Sequence, residues 1–161
     1  MKIQAFIDES KVEKVPYEIE VHFQKNSELF FEREIRNNLK DKEIYCDESI
    51  VFLDRFIKEI ARNEPDDKKM FYSILIGSYV GQYVISKFKG NWVLDKATKN
   101  TSPMDCFIRY TKDSDLYFSP FASTINRIEY CKKAPFLSEI SIIKNAIRED
   151  KEIKARIFKN R

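Results

Sequence analysis

The sequence predicts a small α+β domain, and three stretches carry that reading. Pro65 to Trp92 (PDDKKMFYSILIGSYVGQYVISKFKGNW) reads as one long, nearly all-apolar helix that stops at a glycine and turns into a strand. Ahead of it, DESIVFLDRFIKEIARN places Ile50, Leu53, Phe56, Ile57 and Ile60 at helical spacing. After it, NWVLDK, MDCFIRYTK and DLYFSP are short runs rich in β-formers, separated by segments of turn composition. N-terminal helices and a long central helix packed on a small antiparallel three-stranded sheet, with a C-terminal helix, is the architecture expected. A chain of 161 residues, 43% hydrophobic, suits one sizeable core. One domain over residues 1–150 is expected, with a basic tail over 151–161.

The elements follow in chain order. From Val15, VPYEIEVHFQ alternates, with Tyr17, Ile19, Val21 and Phe23 on one side, which is the pattern of a half-buried strand. A helix starting at Pro16 and running on through the next segment is the rival. A helix is expected from about Ser27 to Leu39. Asp47 is the expected N-cap of the amphipathic helix. Asn63-Glu64-Pro65 forms the turn before the central helix, whose first position suits Pro65 and whose left-handed stop suits Gly90. Pro120 closes the third strand. FASTINRIEYCKK predicts a short helix, and SEISIIKNAIRED a last one with Ile140, Ile143 and Ile147 on one face.

Within the central helix, Ser73, Gly77 and Gly81 recur every fourth residue and form a ridge without bulky side chains. Glycine inside a helix costs roughly 1 kcal/mol, so something must approach this ridge closely. A neighbouring element packed backbone to backbone is the expectation, with a ligand lying on the ridge as the sharper alternative. Ser73, Gly77, Gly81 and Gln82 also break the run below the ~20 apolar residues a bilayer span needs, so a membrane helix is not expected.

Charge and cysteine usage exclude further classes. The net charge of +3 is concentrated between Lys144 and Arg161, where seven Lys or Arg face three Asp or Glu, which leaves about −1 for the rest of the chain. A nucleic-acid partner is disfavoured, because the body lacks a basic face with base-stacking aromatics. The tail reads as a solvated helix end or a frayed terminus. Acidic residues in MKIQAFIDESKVEK do not suit a secretory signal, and the three cysteines, Cys46, Cys106 and Cys131, are odd in number and dispersed. Reduced thiols and a cytoplasmic location are expected.

Catalytic signals are sparse. His22 is the only histidine, and it falls on the polar side of its predicted strand without a Gly-x-Ser-x-Gly elbow elsewhere. The three glycines are used by the helix ridge and its stop, which leaves none for a phosphate loop. Asp66-Asp67, Asp113-Ser114-Asp115 and Glu149-Asp150 read as helix start, turn and helix end rather than as a metal cluster. Cys131, beside Lys132 and Lys133, is the one thiol with cationic neighbours. No metal or cofactor is called for.

The order Gly-x-Tyr-x-Gly (Gly77, Tyr79, Gly81), Gly-x-Trp-Val (Gly90, Trp92, Val93), Phe-x-Pro (Phe118, Pro120) and Arg-x-Glu (Arg127, Glu129) resembles that of bacterial domains of unknown function. The resemblance covers about Phe71 to Glu129. It implies a small cytoplasmic accessory or immunity-type protein, and carries over no activity. Members of such families carry an acidic residue after the second glycine, where this chain has Gln82.

Candidate binding residues lie in this part of the chain. Arg109, Arg127 and Glu129 fall on or beside the sheet, where an arginine with a carboxylate partner either pins two elements or recognises an anion; pinning is favoured. Trp92, Tyr83 and Gln82 are the neighbours that complete the set. The leading expectation is a non-enzymatic protein-binding domain with a toxin or effector as partner. The alternative is a small-ligand or anion-binding module using the ridge with Arg109 or Arg127, and a concave apolar pocket is its sign.

Overall fold

The computed structural model describes residues 12–95, 102–110, 116–129 and 135–159, with side chains as far as Glu152. Cys131, Lys132, Lys133 and the Asp113-Ser114-Asp115 turn lie outside the described residues. The chain is α+β, and among the described residues helices pack against one antiparallel sheet of four strands in the order β1-β2-β3-β4.

The fourth strand corrects the expected three. β1, Val12–Lys14, precedes the helices and pairs antiparallel with β2, Asn91–Asp95, through Val12↔Asp95, Glu13↔Leu94 and Lys14↔Val93. Its three residues carry two charges and too short a pattern to register in sequence. Only the partner strand, some eighty residues on, gives the segment its hydrogen bonds.

The second correction is at Val15. VPYEIEVHFQ is not a strand: it opens α1, Tyr17–Phe30, with Pro16 at the N-cap. The period of four wins over the period of two because the core contacts follow Phe23, Ser27 and Phe30, all buried, while Tyr17 is exposed. His22 is therefore exposed on a helix. Ser27 lies inside α1 and does not start a helix. A π-helical turn, Phe31–Ile35, continues α1, with Arg36 N–H donating to Phe31 O at 2.8 Å. The wider turn re-phases the helix so that Phe30, Phe31 and Ile35 are all buried.

α2, Asp47–Asn63, and α3, Asp66–Phe88, follow. The N-cap of α2 is Cys46, and Asp47 is its first helical residue. The Asp47 carboxylate is used elsewhere: it accepts the Tyr83 hydroxyl at 2.7 Å and pairs with Lys87 at 3.3 Å, tying the start of α2 to the end of α3. Pro65 is likewise the N-cap of α3 rather than its first residue.

The stop of α3 is also corrected. Lys89, not Gly90, takes the left-handed conformation, at φ 60° and ψ 41°. Gly90 is required for space: a Cβ there would lie 2.6 Å from Ile108 Cγ2 and 3.0 Å from Arg109 O. The chain thus turns against β3, Cys106–Arg109, which pairs with β2 through Trp92↔Ile108 and Leu94↔Cys106. These four residues share the sheet face turned to the core. β4, Tyr117–Phe118, closes the far edge.

α4, Pro120–Ile128, begins with Ser119 as N-cap, its Oγ accepting Ala122 N–H at 3.3 Å. α5, Phe136–Lys159, runs on into the segment read as a basic tail.

The ridge of α3 is covered by aromatic rings and not by another backbone. A Cβ at Gly77 would strike the Phe121 ring, and one at Gly81 would strike the Trp92 indole and approach Pro120 Cγ to 3.2 Å. Phe23 completes the cluster, with ring centroids 4.6 Å from Trp92 and 5.0 Å from Phe121. The glycine, tryptophan and proline positions of the sequence motif thus form one packing seam joining α3, β2 and α4.

Candidate functional site

Between the C-terminal turn of α3, the β3–β4 pair, α4 and α5 lies a concave pocket of about 180 Å³. α4 presents Ser119, Ala122, Ser123 and Asn126 to it, at positions i, i+3, i+4 and i+7 of one helical face. Those positions are small or polar, so this face lacks the bulk to fill the space beside it. α5 presents Glu139, Ile143, Ala146 and Ile147 at the same kind of spacing. The sheet side contributes Phe107, Tyr110, Tyr117 and Phe118, and α3 adds Phe88.

At one end of the pocket stands a buried polar cluster. The Arg127 guanidinium donates from Nη2 to Glu139 Oε2 at 2.6 Å and from Nη1 to Ser123 O at 2.9 Å and Ser123 Oγ at 2.5 Å. Ser123 Oγ donates in turn to Glu139 Oε2 at 2.7 Å. Arg127 also lies over the Phe136 ring, with Cζ 3.9 Å from the centroid. Both charges are withdrawn from water, with side chains 3% and 8% exposed. Such a pair is held only when the remaining donors are satisfied, which the Ser123 contacts help to do. The arrangement fixes α4 to α5 and sets one charge directly against the other.

The predicted site residues do not converge. Arg127 is central to this cluster, but its carboxylate partner is Glu139, and Glu129 is exposed at the C-cap of α4. Arg109 ends β3, its guanidinium 5.9 Å from the Tyr117 ring centroid, and is not part of the pocket wall. Trp92 is core, 1% exposed on Gly81, and its Nε1 has no hydrogen-bond acceptor among the described residues. Tyr83 is buried against Asp47, and Gln82 is half-buried on α3, away from the lining. Among the described residues, aromatic rings occupy the glycine ridge and Arg127 faces Glu139.

Sequence reasoning missed Ser123, Asn126 and Glu139. Glu139 falls in the first turn of α5, where a carboxylate reads as a helix-dipole partner, and Ser123 and Asn126 fall on what reads as the wet face of α4.

A second polar chain holds the loop before α2. Ser27 Oγ and Tyr45 Oη are 2.8 Å apart, Tyr45 N–H donates to Tyr79 Oη at 3.0 Å, and Tyr79 donates to Ser49 Oγ at 2.8 Å. Burial pushes the Tyr79 phenol up to about 12 despite those bonds. Burial also raises Cys106 to about 12, so its thiol is held protonated, as a core residue. Among the described residues no group of three or more His, Cys, Asp or Glu is placed to hold a metal ion, and no helix is long and apolar enough to cross a membrane.

The fold and site define an α+β domain with an apolar pocket walled by two helices and a sheet edge. No family model, curated protein or solved structure matches the chain.

Proposed function

We propose that this chain is a non-enzymatic module that binds a small ligand in the pocket between α4, α5 and the β3–β4 pair. The observation that carries it is the pocket itself: a cavity of about 180 Å³ bounded mainly by apolar and aromatic side chains, with a few polar groups grouped on two helices. Small-molecule sites have that composition, because apolar walls drive binding and a few polar atoms orient the ligand. Ser123 has no catalytic use in this reading, since its hydroxyl is bonded to Glu139. Three dispersed cysteines suit a reducing, cytoplasmic setting.

The test is a fragment screen followed by protein-detected NMR on the full chain and on Ala146→Trp, whose indole would occupy the space beside Ile143 and Ile147. Fragments that shift pocket amides in the parent chain and not in Ala146→Trp support the reading. Fragments that bind both forms equally would place the site elsewhere.

A protein partner of the toxin or effector kind, as the resemblance implies, is the second reading. Met70 and Phe71 favour it, neighbours near the start of α3 that are 48% and 45% exposed. Isolated apolar residues are common on surfaces, which keeps this reading second. A stoichiometric protein captured equally by the parent chain and by Ala146→Trp, and lost on Phe71→Ser, would reverse the order.

A further inference from the structure

Resting on the small-ligand reading, we infer that the pocket takes an uncharged molecule the size of one substituted aromatic ring with a single hydrogen-bonding group, in the manner of a phenol. Charge comes first. Among the described lining residues Glu139 is the only acidic or basic side chain, and it is paired with Arg127 at 2.6 Å. An anionic ligand would meet that carboxylate, and no Lys or Arg stands among the described lining residues. A cationic one would have to compete with Arg127, and an unpaired charge in an apolar site is strongly disfavoured. Lys151 lies 5.7 Å from the Tyr110 ring centroid, but it is exposed, so its charge is solvated and screened.

Size comes second. A dry cavity of about 150 Å³ holds benzene. At about 180 Å³ this pocket has room for one ring and a small substituent.

Chemistry comes third. Phe88, Phe107, Tyr110, Tyr117 and Phe118 all border the space, and ring pairs add attraction beyond burial alone. On α4, the Ser119 hydroxyl accepts from Ala122 N–H and still has its own proton to donate, and Asn126, exposed at the mouth, offers a carboxamide. One polar substituent on an otherwise apolar ring satisfies that wall.

The experiment titrates the isotope-labelled full chain with phenol, benzoate and benzylammonium separately, read by amide chemical shifts. Phenol is expected to give saturable shifts at Ala122, Ser123, Glu139 and Ile143, with the two ions weaker by roughly tenfold or more. Phenol shifts are expected to vanish in Ala146→Trp; should that variant fail to fold, Ile143→Phe makes the same test. An ion that binds these amides as tightly as phenol overturns the assignment of a neutral ligand and leaves the pocket reading standing. Absence of saturable shifts from all three probes, or phenol shifts that persist in the filled variants, overturns both.

Discussion

Asp54, in the middle of α2, accepts the backbone N–H of Phe136, the first residue of α5, at 2.8 Å across a sequence separation of 82 residues. The first N–H groups of a helix have no partner within it, and here a carboxylate from another element serves one of them. Burial holds the Asp54 carboxyl above its usual range, outweighing the Phe136 and Leu137 N–H groups and the Arg127 and Lys58 charges that pull the other way. The contact fixes the start of α5, three residues before Glu139 and the wall of the pocket.

Asp54→Ala should lower stability by about 0.5–2 kcal/mol, as loss of an N-cap does, with an unchanged urea dependence. Asp54→Asn keeps an acceptor oxygen and should lose less. Because the folded carboxyl is raised, its contribution is full below the unfolded value and is lost as pH rises through the folded one. That fall should be absent in Asp54→Asn, measured by urea unfolding across the acid range.

Gly81→Ala sets a helix-propensity gain of about 1 kcal/mol against overpacking of about 1–3 kcal/mol on the Trp92 indole. A net destabilisation is expected, since the indole is wedged between Gly81, Phe23 and Phe121. Trp92 is the only tryptophan, so its emission should shift with the substitution. A more stable variant with unchanged emission would contradict the seam.

Arg127→Met leaves the Glu139 carboxylate buried without its cation and should cost about 3–5 kcal/mol. Adding Glu139→Gln should recover part of that loss. A double-mutant cycle by chemical denaturation reads the coupling, and additive single losses would show that the pair does not act as a unit.

Alkaline pH should unfold the chain through its buried phenol. The unfolded Tyr79 ionises near the ordinary phenol value of 10.0, while the folded one holds its proton to about 12, so stability declines as pH rises through that window. Cys106, raised from 9.0 to about 12, adds to the same decline from its lower edge. Tyr79→Phe should make the slope shallower between those limits, and an unchanged slope would assign the decline to other groups.

Much of the fold was legible where a local signal and a tertiary contact agree. Asp66–Phe88 is helical because its apolar residues surround the axis, whereas Pro120, read as the close of a strand, is the first residue of α4 behind the Ser119 cap. The presence of Gly77 and Gly81 told of a close approach, though not of which atoms approach. Where two periods competed, sequence misled: Tyr17, Ile19, Val21 and Phe23 alternate, yet Phe23, Ser27 and Phe30 meet the core and make the segment a helix.

The sequence by itself determined the α+β class, the long α3 and the amphipathic α2, because each rests on spacing or residue type within a short window. Only the tertiary structure decided that β1 is a strand, that Trp92 and Phe121 fill the glycine ridge, and that Arg127 pairs with Glu139 beside a pocket. Those features depend on segments distant in sequence being brought together, and a strand of three residues or a buried ion pair has no local pattern that survives without its partner.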